Sequence, residues 1–345
     1  MREPVATEAR AALDRSSGYR RLGRVIAGVV VVALTVAFIA ANRGELPNAA
    51  RAAGHADPWW LGLGVIASAT FMVLHASARR VAIATFGVRL TPSRAMLTSA
   101  VAQSLNVVAK SGGMAGLAVY RDESRRSGQP TPLVTGGYVL CVVLGDAAFA
   151  VTLVGAIAVL VIDGQFTRGD AVAVAVVGAY FAIVATVVVA AARSRSAIRS
   201  LHALPARLRR RTPDHTAADE LFDAIQQIRT RPASVIPVFC LMLLIELVSI
   251  SMVWICLAAY GQSVGMTVPI VGYGVSVLFS LISVLPAGIG FAEASLGAVL
   301  VSFGLAGSVA TVIVLTYRIL ETWLPLLTGV LVARTWRRRA DGATP

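Results

Sequence analysis

The chain has 345 residues, of which 57% are hydrophobic and 14% charged, with a formal net charge of +13. Soluble domains carry about 25% charged residues, so this composition, with a mean hydropathy of +0.74, excludes an ordinary water-soluble globule. No nucleic-acid-binding signature accompanies the positive charge, which points to anionic lipid surfaces instead.

Taken from the N-terminus, residues 1–24 form a basic flank ahead of a first apolar run, Val25–Ala41. The flank is long and mixed in charge and the run exceeds a usual signal core, so it reads as a retained anchor. Trp59–Ser77 follows, opened by Trp59 and Trp60 as an aromatic belt, with His75 expected at the interface. A shorter run, Ala95–Ala109, ends at Lys110-Ser111-Gly112-Gly113. Pro132–Ile162 and Ala171–Ala192 come next. Residues 193–211 are basic. Beyond them Leu221, Phe222, Ile225 and Ile228 recur at helical spacing, opposite Asp219, Glu220, Asp223 and Gln226. That pattern is either an amphipathic helix on the membrane surface or a connector packed on the bundle. The last runs are Ala233–Tyr260, Val268–Leu285, the short Phe291–Leu305 and Ala310–Ala333, before an arginine-rich tail. A bilayer is crossed by about 20 apolar residues in a helix, so most of these runs are long enough.

The arginines set the topology, because short loops rich in Lys and Arg stay on the inner side. Segments 1–24, 78–94, 110–130, 193–232 and the tail hold 27 of the 31 basic residues. They share one side only if Ala95–Tyr120 and Val268–Leu305 each dip into the membrane and return. The expected fold is all-α and polytopic, with six spanning helices around two opposed re-entrant hairpins. The hairpin tips are the glycine turns Lys110–Gly113 and Pro286–Gly290. Irregular backbone at that depth must be satisfied by protein or a water-filled cavity, which places the tips at the centre. Ser104–Val108 also reads onto Ser280–Val284, with Gly112 on Gly288 and Ala118 on Ala294. With opposite insertion, that constant offset is the pattern of an inverted repeat. One domain, 25–334, then has halves 25–192 and 233–334 joined by the loop 193–232, flanked by cytoplasmic segments 1–24 and 335–345.

Charges inside spans are expensive and mark functional candidates. Five are expected: Asp146, Glu246, Glu293, Arg318 and Glu321. Arg318 is read as the one cation in any apolar run, and Arg79 is assigned to a loop. Arg318 and Glu321, three residues apart, share a helix face and can pair; a guanidinium is a natural partner for phosphate, and the alternative is a structural ion pair of Arg318 with Glu321 or Glu293. Glu293 opens a helix at the second glycine turn. Free N–H groups around Gly112, Gly113, Gly288 and Gly290 suit an anion. Asp146 and Glu246 serve equally well as interhelical bonding groups. The cysteines Cys141, Cys240 and Cys256 lack any metal or disulfide spacing, and no hydrolase, metalloprotease, P-loop or dinucleotide fingerprint is found. No catalytic residue, metal or cofactor is expected.

Ser283-Val284-Leu285-Pro286-Ala287-Gly288-Ile289-Gly290-Phe291-Ala292-Glu293-Ala294 resembles the hallmark of the lysylphosphatidylglycerol synthase transmembrane-domain, or flippase-like, family. Tyr317-Arg318 with Trp323-Leu324-Pro325-Leu326-Leu327-Thr328-Gly329 resembles its ending, and Ser104–Gly128 its first glycine-rich motif, with Asp146 near an acidic position. The chain departs from the family pattern at Lys110-Ser111, where Pro-Gly is usual, and at Ala287, where a second Gly is common. Lys110 would alter the charge of whatever binds there.

The resemblance implies movement of lipid between leaflets of a bacterial cytoplasmic membrane, with both termini cytoplasmic. With the chain ending at Pro345, no room is expected for the lysine-transferring synthase domain of bifunctional members. The expected ligand is an anionic or phosphate-bearing lipid, held by Arg318 with Glu293, Glu321, Asp146, Lys110, Gly112, Gly113, Gly288 and Gly290. The alternatives are a membrane transferase acting on a lipid carrier and a non-transporting partner of a separate lipid-modifying enzyme. A homo-oligomer also stays open.

Overall fold

The structure is a computed structural model. It describes residues 54–109, 114–164, 168–200, 219, 222–223, 225–226, 232–282, 288 and 290–341. The run Val25–Ala41 and the turn Lys110–Gly113 lie outside the described residues, as do Pro286 and Ala287. Everything described falls in one compact unit, Ala49–Pro345, and is helix, turn or short connecting loop.

Helix α1 (Pro58–Thr85) starts at a proline in its first turn, with the Asp57 side chain accepting the Trp59 N–H at 2.9 Å. This is the usual economy of an N-terminus: a missing donor at the first position and a carboxylate for the next. It is followed by α2 (Pro92–Val108), a 3-10 turn at Met114–Gly116, α3 (Leu117–Arg126), α4 (Thr131–Ile162) and α5 (Arg168–Arg193). The second half holds α6 (Ile236–Ala259), α7 (Thr267–Ile282), α8 (Phe291–Ser302) and α9 (Gly307–Arg318). A π-helical turn at Ile319–Trp323 then joins α9 to α10 (Leu324–Asp341).

Four helical stretches are long and apolar enough to cross a membrane: Pro58–Thr85, Thr131–Ile162, Pro232–Ala259 and Gly307–Ala333. The protein is therefore a multi-pass, all-α membrane protein. Of the other two expected spans, one lies outside the described residues, and α5 carries the shorter apolar stretch Gly178–Ala190. α8, with 12 residues, reaches only about 18 Å at 1.5 Å per residue.

α1 and α6 pack along each other at the centre, joined by edge-to-face Trp60 and Trp254, 5.2 Å between ring centroids. α2 packs on α10, and α7 on α4. Small residues permit these approaches. A Cβ at Gly137 would fall on the Ile83 backbone, and one at Gly329 on Ser104 and the Ala100 carbonyl. Close backbones are what hold helices together where apolar burial gives no advantage over lipid.

α3, which follows the first glycine turn, is a short polar helix whose Asp122 and Arg126 pair at 2.8 Å on its exposed face. The apolar pattern stops at Tyr120 because only Val119, Tyr120 and Ser124 of this helix turn inward. Arg79 was assigned to a loop, but α1 continues to Thr85 and buries it. Apolar residues resume after the arginine pair at Val81, Ala82 and Ile83, so one helix turn of burial bridges the charge.

On the polar side, Arg199 makes a two-pronged pair with Asp219, at 2.9 and 2.7 Å, and Arg195 reaches Asp223 at 2.6 Å. The Asp219 carboxylate holds the Arg199 pKa above its ordinary value. Arg195 also lies over the Phe222 ring, 4.8 Å from its centroid. The acidic face of the expected amphipathic segment thus meets the basic stretch before it.

Candidate functional site

The second glycine turn explains how Glu293 is aimed. Gly288 and Gly290 have φ of +67° and +84°, values that a side chain disfavours and glycine adopts freely. At Gly288 a Cβ would also strike Ser280 of α7. The turn launches α8, and Glu293, third in that helix, accepts the Gly290 N–H at 2.7 Å through Oε2. This is the return half of a capping box, and it places the carboxylate at the positive end of the helix.

The other oxygen of Glu293, Oε1, receives Nε of Arg318 at 2.7 Å. Arg318 Nη1 donates to Glu321 Oε2 at 3.2 Å, and Thr322 Oγ1 donates to that same oxygen at 2.9 Å. The three charged side chains are 8%, 11% and 22% exposed, in the order Arg318, Glu293, Glu321. Helix α9 brings Arg318 in at its last residue, and the π turn that follows swings Glu321 beneath it. Such turns disturb the helical bonding ladder and recur at functional sites. Here Ser68 of α1 donates to the Leu320 carbonyl at 2.6 Å, which ties the turn to the central helix pair.

The remaining carboxyl groups continue from this triad. Tyr273 of α7 donates to Glu246 Oε2 at 2.9 Å. Glu246 on α6 is within electrostatic reach of Glu321 and of Asp146 on α4. The structure thus brings together Glu293, Arg318 and Glu321 directly, and Glu246 and Asp146 at longer range. The acids are strung out rather than clustered: among the described residues no three of them, with or without His or Cys, form a metal-holding set. Lys110, Gly112 and Gly113 lie outside the described residues.

Beside the triad an open groove of about 650 Å³ runs between α7 and α8. Val275, Phe279, Phe291 and Ala298 line it, and it includes Gly290, whose N–H is bonded to Glu293. The groove and the charged triad thus share Gly290.

Tyr273, Thr322 and Ser68 were not anticipated. A hydroxyl in an apolar helix gives no periodic signal, and only the fold shows which carbonyl or carboxylate it meets. Arg79 was missed for the reason given above, although the apolar residues that resume after Arg80 were a usable sign.

No curated protein matches the chain. The match to the family described as Lysylphosphatidylglycerol synthase TM region extends over residues 25–329, covering both halves and the whole Arg318 triad, and the chain belongs to that family.

Proposed function

We propose that this protein is a lipid translocase of a bacterial cytoplasmic membrane, moving a phosphate-bearing lipid between leaflets. The observation that carries the reading is a buried guanidinium, Arg318, held by carboxylates, one of which accepts the N–H of Gly290, a residue that also lines an open apolar groove. A lipid needs both parts: a polar place for the head group at membrane depth and an apolar flank along which the tails remain in lipid. Arg318 would exchange a carboxylate for the phosphate, to which a guanidinium binds with matched geometry.

Carboxyl groups outnumber guanidinium groups along the row Asp146, Glu246, Glu321, Arg318 and Glu293. A head group that brings a positive charge beside its phosphate therefore fits better than a plain anion. The arrangement of helices supports two opposed re-entrant hairpins. α2 and α7 each follow a long helix, run 17 and 16 residues, and pack across the bundle on α10 and α4 in reciprocal fashion. That reciprocity suits inverted halves rocking about a central site, and the arginine distribution supports cytoplasmic termini at both ends.

The test is reconstitution of the full chain alone in vesicles with a labelled phospholipid in one leaflet. Comparing an amine-bearing phospholipid with a purely anionic one reads the head-group preference. Faster exchange than in protein-free vesicles is expected, more so for the amine-bearing lipid. Equal rates with and without protein would overturn the reading.

A further inference from the structure

A second polar centre lies in the first half, built on the arginine that the sequence hid. Arg79 of α1 is 8% exposed. Its Nη1 donates to Ser99 Oγ at 2.6 Å and to Gln103 Oε1 at 3.0 Å, both on α2. Its guanidinium carbon sits 5.8 Å from the centroid of the Tyr138 ring. Among the described residues no carboxylate comes within ion-pair distance of it.

A guanidinium keeps its charge under all ordinary conditions. Burying a charge without a counter-charge costs several kcal/mol, and two neutral acceptors and a ring face offset only part of that.

Tyr120 of α3 supplies the second, independent observation. It is 1% exposed, and its hydroxyl makes no hydrogen bond of good geometry, although it lies close enough to interact with both Arg79 and Ser99. An orphaned buried hydroxyl is uncommon and calls for a partner. Its surroundings are tightly packed. Tyr120 and Tyr138 pack ring to ring at 5.2 Å. Asn106 of α2 holds Tyr138 by its hydroxyl at 3.1 Å, and the Gly116 N–H at 2.5 Å, where a Cβ has no room. The opposite face of α3 is exposed through Asp122 and Arg126, so the Arg79–Tyr120 pair lies one helix from water.

We propose that Arg79, with Ser99 and Tyr120, forms a binding site for a phosphate-type anion, separate from the Arg318 triad. The anion supplies the missing counter-charge, and the Tyr120 and Ser99 hydroxyls donate to it alongside the guanidinium. The site does not depend on the translocation reading, because nothing in it requires Arg318 or movement of lipid.

The test uses the delipidated full chain in a neutral detergent. Three probes are titrated against thermal unfolding: inorganic phosphate, short-chain phosphatidic acid, and short-chain phosphatidylcholine as a zwitterionic control. Wild type is expected to bind at least one of the first two more tightly than the control. Binding of inorganic phosphate identifies a free-anion site; binding of phosphatidic acid alone identifies a lipid head group. Loss of a hydrogen bond to a charged group corresponds to about tenfold or more in affinity. Measured in an Arg318→Lys background, so that the Arg318 centre contributes equally throughout, Arg79→Gln and Tyr120→Phe should each weaken binding by about that factor. Tyr120→Phe keeps the ring stack, so it tests the site even where Arg79→Gln fails to fold. Undiminished affinity in Tyr120→Phe, or no anion preference in wild type, would overturn the proposal.

Discussion

Two arginines are buried among the described residues, and the two halves of the bundle house them in opposite ways. Arg318 is clasped by Glu293 from one helix and Glu321 from a π turn. Arg79 has only a hydroxyl, an amide and an aromatic face. The first arrangement carries its counter-charges with it, so removing the cation strands two carboxylates. The second is built from neutral groups, so removing its cation strands nothing charged. Similar burial in two helical surroundings therefore gives one centre that is held together by its charges and one that stays electropositive.

The largest effect that sharpens this contrast is expected from Arg318→Met. Breaking a buried ion pair from one side costs about 3–5 kcal/mol, read as lost resistance to unfolding in mixed micelles. The triple change Glu293→Gln, Arg318→Met, Glu321→Gln should recover most of that loss, because no uncompensated charge remains. Arg79→Met in the delipidated protein should shift stability by only about 1–2 kcal/mol in either direction, since relief of desolvation offsets two lost hydrogen bonds. Equal losses for Arg79→Met and Arg318→Met would break the comparison.

Next comes the turn that aims Glu293. Gly288→Ala combines a positive φ with a collision against Ser280 and should cost about 2–3 kcal/mol. Gly290→Ala meets open space and should cost about 1–2 kcal/mol from backbone strain alone. The smallest effect belongs to the polar loop. Asp219→Asn with Asp223→Asn removes exposed pairs to Arg199 and Arg195, and unfolding should barely change.

How much of this was legible in the sequence follows from what each signal encodes. Hydropathy marks apolar runs, so the long helices were legible wherever the run was unbroken, as in Thr131–Ile162. It failed at Arg79, where a charge interrupts a run that helix geometry nevertheless continues. The triad was half legible. The three-residue spacing of Arg318 and Glu321 announces a shared helix face, and Glu293 announces itself by its place after a glycine turn. That Glu293 meets Arg318 across 25 residues depends on α8 and α9 folding back on each other, which no local pattern states. The orphaned Tyr120 hydroxyl is a property of packing alone.

The central claim is that lipid crosses by way of the Arg318 centre, and Arg318→Lys tests it most directly. Lysine keeps the positive charge between Glu293 and Glu321 but loses the planar fork that matches a phosphate. Inter-leaflet exchange is measured in vesicles carrying equal amounts of wild type and variant, with thermal unfolding recorded on the same preparations. The account predicts exchange slowed by about tenfold or more with folding retained. Wild-type exchange by a folded Arg318→Lys protein would contradict it.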